Sequence, residues 1–324
     1  MEFEAQTLVS IAAYVGGGFC MGVGAVGAAI GEGYTAAEAN LAISRNPKIS
    51  GDIFKSMLVG QAIAESASIF ALVIAILLLF LDVSVISLLK AAALLGAGIS
   101  MGFGAVGSGV GSGLPGGQAC KGISRQPAMK GRLMTNMLIG SAVCQTPAIF
   151  AMVVALILMF IDFGNAPLNP TWAALLGAGI SMGLAAIGSG YGGGMAAGAG
   201  CEGVSRNPET IPSVTTAMLV GQAVSQTPSI FGLLVSFILM FKAFPETTLL
   251  SPAMALLGAG ISMGFGGIGP GIGNGMAAEG AVKWIARNVE HQGELMRTML
   301  IGQAVSQSTA IYAMVISLVL IFVV

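Results

Sequence analysis

Charge is what this chain most lacks. Of its 324 residues only 13 are Lys or Arg and 14 Asp or Glu, 8% in all, against about a quarter in an ordinary soluble domain. With 55% hydrophobic residues and a mean hydropathy of +0.90, a soluble fold is excluded and an integral membrane protein is implied. The net charge of -1 leaves no electrostatic footprint for nucleic acid. The first residues carry Glu2 and Glu4 but no basic run, so a cleaved signal peptide is not expected. The four cysteines, Cys20, Cys120, Cys144 and Cys201, lack metal-ligand spacing and read as small buried hydrophobes. The single histidine, His291, falls in a polar loop with no evident role. Residues 102–107 fit the letter pattern of a dinucleotide fingerprint but have neither a preceding strand nor an acidic partner. No nucleotide site, catalytic residue or cofactor is expected in this chain.

What the chain has instead is repetition. Leu94-Leu95-Gly96-Ala97-Gly98-Ile99-Ser100-Met101-Gly102 recurs at 175–183 and 256–264, with a degenerate copy through Gly16, Gly17, Gly18 and Gly22. A second marker reads Val59-Gly60-Gln61-Ala62, Ile139-Gly140-Ser141-Ala142, Val220-Gly221-Gln222-Ala223 and Ile301-Gly302-Gln303-Ala304. Between the two lies a third: Arg45-Asn46-Pro47, Arg125-Gln126-Pro127, Arg206-Asn207-Pro208 and Arg287-Asn288-Val289. Each unit holds a Gly-rich apolar segment, a short polar loop and an aliphatic segment. About 20 helical residues cross a hydrocarbon core. The predicted fold is therefore all-α, with eight transmembrane helices in four tandem hairpins over residues 1–82, 83–162, 163–243 and 244–324.

Eleven of the thirteen basic residues flank the polar loops: Arg45, Lys48, Lys55, Lys121, Arg125, Lys130, Arg132, Arg206, Lys283, Arg287 and Arg297. Only Lys90 and Lys242 lie near the connectors between units. The positive-inside rule puts the loops in the cytoplasm and both termini outside. Asp82, Asp162, Asn165, Pro167, Pro170, Pro245 and Pro252 mark the connectors as turns and helix stops. Dense glycines in the first helix of each unit let backbones approach closely in lipid, which suits the inner layer of a two-layer ring. The Leu-, Ile-, Val-, Met- and Phe-rich second helices suit the outer, lipid-facing layer.

One acidic residue stands out. Glu65 sits in an apolar run, where a charge costs about 2.5–3.5 kcal/mol on insertion scales, so it marks a functional site. Glu32 lies in the preceding segment. Glu32 is 15 residues before Pro47 and Glu65 is 18 after it, about 22 and 27 Å along a helix, so the two share a depth. Two ionised carboxylates side by side are unfavourable, and one is protonated or both share a cation. The sister positions of Glu65 are Gln145, Gln226 and Gln307, and those of Glu32 are Ser112, Gly193 and Asn274. The three glutamines cannot change charge and read as ties between helices. Pro147 and Pro228 are expected to kink their helices. Glu38, Glu202 and Glu279 read as solvated or interfacial.

A Gly-rich helix, an Arg-Asn/Gln-Pro loop and the stretch Gly60-Gln61-Ala62-Ile63-Ala64-Glu65-Ser66 together resemble the rotor-ring proteolipid, the c protein, of F-type rotary ATP synthases, over all four units. The resemblance implies a homo-oligomeric rotor ring, made of this chain alone or shared with other c proteins, and embedded in membrane lipid. The ring would turn against a stator a subunit and be docked to central stalk subunits through Arg45, Asn46, Pro47, Arg125, Gln126, Pro127, Arg206, Asn207, Pro208, Arg287 and Asn288. It implies that Glu65 carries the transported Na+ or H+. Sodium-binding members place Gln or Glu at the Glu32 position, followed in the second helix by Glu-Ser-Thr-x-x-Tyr. Here Glu65-Ser66 lacks the Thr and Tyr, which reappear as Ser308, Thr309 and Tyr312 in unit four. In that family one hairpin supplies the carboxylates and its neighbour the hydroxyl and a carbonyl. The expectation is a site across the junction between two copies, with Glu32, Glu65 and Ser66 from one and Ser308, Thr309, Tyr312 and the Val305 carbonyl from the next. Na+ would be held by Glu32, Glu65, Ser308, Thr309 and Val305, whose hard oxygens suit it. A bacterial-type cytoplasmic membrane is expected.

With one carboxylate site per four hairpins, a ring of this chain alone carries few ions per turn and favours ATP-driven pumping; one charge crossing 100 mV is worth about 2.3 kcal/mol. Other readings are a ring-forming channel, a structural proteolipid, or a secondary transporter, the last disfavoured because the repeats are parallel rather than inverted. Glu65 could also serve as a structural partner and Glu32 as a tuning group. Ser308, Thr309 and Tyr312 could be ordinary interhelical hydrogen bonders.

Overall fold

The computed structural model describes residues 2–80, 87–163 and 166–323. Asp82 and Asn165 lie outside the described residues. Ten α-helices are present among them: α1 Glu2–Arg45, α2 Ser50–Phe80, α3 Leu88–Arg125, α4 Lys130–Cys144, α5 Thr146–Phe160, α6 Leu168–Arg206, α7 Ile211–Ser225, α8 Thr227–Phe241, α9 Leu250–Ile285 and α10 Gln292–Val323. α4 runs on into α5, and α7 into α8, each across a single turn residue. Counted that way, eight helical spans are long and apolar enough to cross a membrane. They form four tandem hairpins.

The four tips are built alike. In each tip one non-helical residue precedes a short 3-10 turn: Asn46 (φ -142°, ψ 77°), Gln126 (-135°, 79°), Asn207 (-142°, 94°) and Asn288 (-137°, 76°); in the fourth, α9 has already stopped at Ile285. A following proline disfavours helical backbone in the residue before it and is itself suited to the first turn of the next helix. Pro47, Pro127 and Pro208 each open a short 3-10 turn in that way. Val289 keeps the same turn without proline.

The first helices pack side by side in chain order, α1 on α3, α3 on α6 and α6 on α9, and the second helices lie against that row. Glycine makes the row possible. A Cβ on Gly98, Gly179 or Gly260 would collide with the backbone of Gly16, Gly96 or Gly177 on the preceding first helix. At such spacing the attraction comes from many close backbone contacts rather than from expelled water. Larger apolar residues fill the space between the layers, among them Met101, Leu158, Leu175, Met182 and Leu239.

Some connector residues differ from expectation. Pro170 and Pro252 do not stop helices; each lies within the first turn of a first helix, α6 and α9, where a missing N–H is harmless. Lys90 is buried in the first turn of α3, and its Nζ donates to the Met159 carbonyl. The acidic residues near the loops are not simply solvated. Glu38 pairs with Lys121 at 2.5 Å, Glu202 with Arg206 at 2.7 Å and with Lys283 at 3.7 Å, and Glu279 with Lys283. Glu202–Arg206 and Glu279–Lys283 are pairs one turn apart on a single helix, whereas Glu38–Lys121 and Glu202–Lys283 come from close packing of neighbouring first helices. Asp52 likewise meets Lys130 at 2.6 Å. All four cysteines are buried and unbridged.

Candidate ion site and the junctions between hairpins

One hydrogen bond recurs in every hairpin and fixes how its two helices meet. Gln61 Nε2 donates to the Glu32 carbonyl (3.3 Å), Ser141 Oγ to the Ser112 carbonyl (3.1 Å), Gln222 Nε2 to the Gly193 carbonyl (3.2 Å) and Gln303 Nε2 to the Asn274 carbonyl (3.0 Å). The residues aligned with Glu32 from sequence are therefore its structural counterparts. Gln61 lies one helical turn before Glu65, so Glu65 is brought to the height of Glu32. The two carboxylates are within electrostatic reach of each other. Glu32 is half-buried, and Glu65 is exposed on the outer surface of α2.

A second set of bonds joins each hairpin to the one before it. Gln145 Nε2 donates to the Ile63 carbonyl at 2.9 Å and, within its own hairpin, to Ser112 Oγ at 2.6 Å. Gln226 Nε2 donates to the Val143 carbonyl at 2.6 Å. At the third junction the donor comes from the first helix: Asn274 Nδ2 reaches the Val224 carbonyl at 3.3 Å and Gln307 Oε1 at 2.7 Å. Ile63, Val143 and Val224 are sister positions. At this height each internal junction thus has one amide nitrogen from a counterpart of Glu65 or Glu32, donated to the same backbone carbonyl of the preceding hairpin; one turn earlier Gln222 and Gln303 Nε2 also donate across the second and third junctions, to the Gly140 (2.9 Å) and Gly221 (3.1 Å) carbonyls. The expected tying role of Gln145 and Gln226 is what the structure shows, whereas Gln307 acts through Asn274.

Proline explains why two of those carbonyls lack their ordinary helical donor. Pro147 and Pro228 have no N–H to offer to Val143 and Val224, four residues earlier. The helices break there, at Gln145 and Gln226. The loosened turns are held from the first helix, where Ser108 Oγ accepts from the Ala148 N–H (3.2 Å) and Ser189 Oγ from the Ser229 N–H (3.1 Å). The counterparts of Pro147 in the outer hairpins are Ala67 and Thr309, and α2 and α10 run unbroken.

Ser308, Thr309, Tyr312 and Val305 lie on α10, in the hairpin at the other end of the row from Glu65, and the single chain does not bring them to it. Ser308 Oγ donates to the Val305 carbonyl at 2.7 Å, as Ser66 Oγ does to the Ile63 carbonyl at 2.6 Å. Thr309 Oγ1 donates to the Ser306 carbonyl at 3.0 Å. Val305 is 67% exposed and Tyr312 65%, so this face is open to a neighbour. The tips also carry polar surface. Asn46 Nδ2 donates to the Ser124 carbonyl at 3.3 Å, Arg287 stacks on Trp284 at 4.6 Å, and Asn207, Arg287 and Asn288 line a groove between the third and fourth tips. Sequence reasoning missed the roles of Gln61, Ser108 and Ser189. The signal for Gln61 was available, since its marker stands 29 residues after the Glu32 position in every unit.

The family model for the ATP synthase C subunit matches four times, at residues 15–78, 95–158, 176–239 and 257–320. The chain belongs to the ATP synthase C-subunit family. Its relatives include the K subunit of the A-type ATP synthase of Methanocaldococcus jannaschii, 29% identical over 225 residues, which are 69% of this chain and 93% of that protein. The ATP synthase c subunit of Alkaliphilus oremlandii is 49% identical over 70 residues, 22% of this chain and 78% of that protein. The ATP synthase c subunit 2 of Pelobacter propionicus is 47% identical over 70 residues, 22% of this chain and 77% of that protein. Membership makes this rotor-type chain a membrane transport subunit without a catalytic nucleotide site.

Proposed function

We propose that the chain is the rotor-ring subunit of a rotary ATPase in which one ion, Na+ or H+, is carried per chain on Glu65 with Glu32. The observation that carries this reading is the amide closure of the internal junctions. At those three junctions a neutral N–H meets the preceding hairpin's carbonyl. At the fourth, the sister positions hold two carboxylates, which when ionised only accept. A carboxylate facing a carbonyl needs a proton or a cation between them. The carbonyl it would face is that of Val305 in the next copy, beside Ser308, with Thr309 and Tyr312 completing the oxygen set and Ser66 on the α2 side.

Ring closure by further copies of this chain is supported by the two ends of the row. No described atom lies within 4 Å of a Cβ built on Gly18 or Gly33 of α1, or on Gly269 of α9. Their sisters Gly98, Gly113, Gly107 and Gly188 all face a neighbouring backbone closely. The open face of α9 therefore matches the open face of α1.

The F-type assignment rests on the single-hairpin relatives, which are more similar residue for residue than the longer A-type protein. On this reading the tips Arg45-Asn46-Pro47, Arg125-Gln126-Pro127, Arg206-Asn207-Pro208 and Arg287-Asn288 face a central stalk on the cytoplasmic side. A stator a subunit meets Glu65. Few ions per turn favour ATP-driven pumping. The hydroxyl set on α10 favours Na+ over H+. Carbodiimide labelling of Glu65 tests both the carrier and the ion: protection by sodium at neutral pH supports a sodium site and lack of protection a proton site. ATP-coupled cation transport that survives Glu65→Gln would refute the proposal.

A further inference from the structure

At the internal junctions one rung of the glycine ladder meets the preceding helix at a backbone nitrogen, where others meet carbonyl oxygens. A Cβ on Gly109 would stand 2.5 Å from the Ala28 backbone nitrogen, one on Gly190 2.5 Å from that of Ser108, and one on Gly271 2.6 Å from that of Ser189. No side chain moves aside in such a clash, because the obstacle is backbone. These three positions must be glycine for the first helices to lie as close as they do.

The corresponding rung between two copies is different on both sides. The sister of Gly109, Gly190 and Gly271 in α1 is Ala29, which is exposed in the single chain. The sister of Ala28, Ser108 and Ser189 in α9 is Pro270. Ala29 supplies the Cβ that the other rungs exclude. Pro270 carries a ring carbon on the nitrogen that this Cβ would meet, where its sisters carry only a hydrogen. The rungs on either side, Gly18 against Gly258 and Gly33 against Gly273, keep glycine throughout. The substitution is confined to one level, and Ala29 stands one helical turn from Glu32.

We propose that Ala29 and Pro270 are a spacer pair that holds the junction between copies wider than the internal junctions at the height of Glu32. The proposal rests on the ring described above, with a second copy of this chain as the neighbour. Moving the Cβ from 2.5 Å to the ordinary contact range of 3.4–4 Å separates the two first helices by about 1 Å at this rung, since close-packed backbones cannot interpenetrate. The internal junctions have no exchangeable ligand and remain closed on their amides. The spread junction gives the carboxylate pair room to release its ion and take another. Ala29 and Pro270 touch no ion; they are positioning residues, and they set how fast Glu65 exchanges.

The test installs the sister residues. In the ring purified from full-length chain, Ala29→Gly and Pro270→Ser, singly and together, should raise the temperature at which the ring dissociates in detergent. They should slow carbodiimide labelling of Glu65 by roughly tenfold for the pair, the factor that about 1.4 kcal/mol makes in a rate. Ala29→Val should act in the opposite sense on both readouts. Unchanged labelling rate and dissociation temperature in Ala29→Gly and Ala29→Val would overturn the spacer. Native mass spectrometry of the wild-type protein separates this from failure of the ring itself: a wild-type chain that forms no closed oligomer overturns the ring reading on which the spacer stands.

Discussion

Glu65→Gln should close the one junction that the protein leaves open. At Gln145 and Gln226 an amide donates to the preceding hairpin's carbonyl at 2.9 and 2.6 Å, and a glutamine at position 65 would stand in the same relation to the Val305 carbonyl of the next copy. One such hydrogen bond contributes about 0.5–1.5 kcal/mol net. In the unsubstituted ring the corresponding contact is made only when Glu65 holds a proton or a cation. With neither, a carboxylate is left in a low-dielectric junction against an acceptor, a situation that costs about 3–5 kcal/mol when a buried charge loses its partner. The two rings should therefore differ in how stability responds to the ion rather than only in its size. The assay is the dissociation temperature of the purified ring in detergent, followed with and without sodium and from acidic to alkaline pH. The unsubstituted ring should weaken when sodium is removed at alkaline pH. The Glu65→Gln ring should match or exceed the loaded ring and be much less sensitive to both variables, Glu32 being the carboxylate that remains, while transport is lost. A Glu65→Gln ring that is weaker than the empty unsubstituted ring, or that responds to sodium as strongly as the unsubstituted ring, would refute the reasoning.

Gln145→Ala removes one bond across the first internal junction and one within its own hairpin and should cost about 1–3 kcal/mol, read as a lower thermal midpoint of the chain without loss of sodium protection at Glu65. Ser308→Ala with Thr309→Ala should weaken ion protection of Glu65, whereas Thr146→Ala should not; equal effects would show that the site does not span two copies. Gly190→Ala places a Cβ 2.5 Å from the Ser108 backbone nitrogen and should destabilise by about 1–3 kcal/mol, as overpacked sites do, measured by the same thermal midpoint. In reconstituted vesicles the ion:ATP ratio should correspond to one ion per chain; a ratio of one per hairpin would contradict a ring made of this chain alone.

The hairpins, their tips and the carboxylate pair are legible in the sequence because each depends on local chemistry repeated at a fixed offset. Glycine density marks the helices that crowd together, and proline marks the tips. Counting 80 or 81 residues from Glu65 or Glu32 reaches the residues that the Gln61-type bond confirms as counterparts. What could not be read depends on how each helix is rotated about its axis against its neighbour. Glu38 and Lys121 lie 83 residues apart and look like two solvated charges until close packing of α1 on α3 brings them together. The bond from Gln145 to Ile63 spans 82 residues, and its acceptor is a backbone atom that no letter of the sequence distinguishes. Ser108 and Ser189 look like two small residues in a glycine-rich helix. Their purpose shows only beside the N–H groups at the breaks after Pro147 and Pro228.

Those breaks also bear on why the acidic pair sits where it does. At the second and third junctions proline frees a carbonyl outright, and a neutral amide from the following hairpin takes it at no electrostatic cost. No group in these amide closures ionises, so the contacts at this height persist whatever the pH or the salt. In the proposed ring the junction between copies lies between α10 and α2, the two second helices that run unbroken. The Val305 carbonyl stays within a regular helix and is already shared with Ser308 Oγ. A carbonyl so engaged is a weaker and more replaceable partner than one freed by proline, because its remaining lone-pair capacity is divided. The Ile63 carbonyl is shared with Ser66 Oγ in the same way, yet at the first junction a neutral amide fills it, so it is the engaged carbonyl together with a carboxylate that suits a contact to be made and broken. Substituting Thr309 by proline would transfer the internal design to the open junction. Thr309→Pro and Thr309→Ala both lose the Thr309 hydroxyl, but only the proline frees the Val305 carbonyl, so sodium should protect Glu65 at lower concentration in Thr309→Pro than in Thr309→Ala while ATP-coupled transport is slower. Protection and transport that moved together in the same direction would show that engagement of the carbonyl does not govern release.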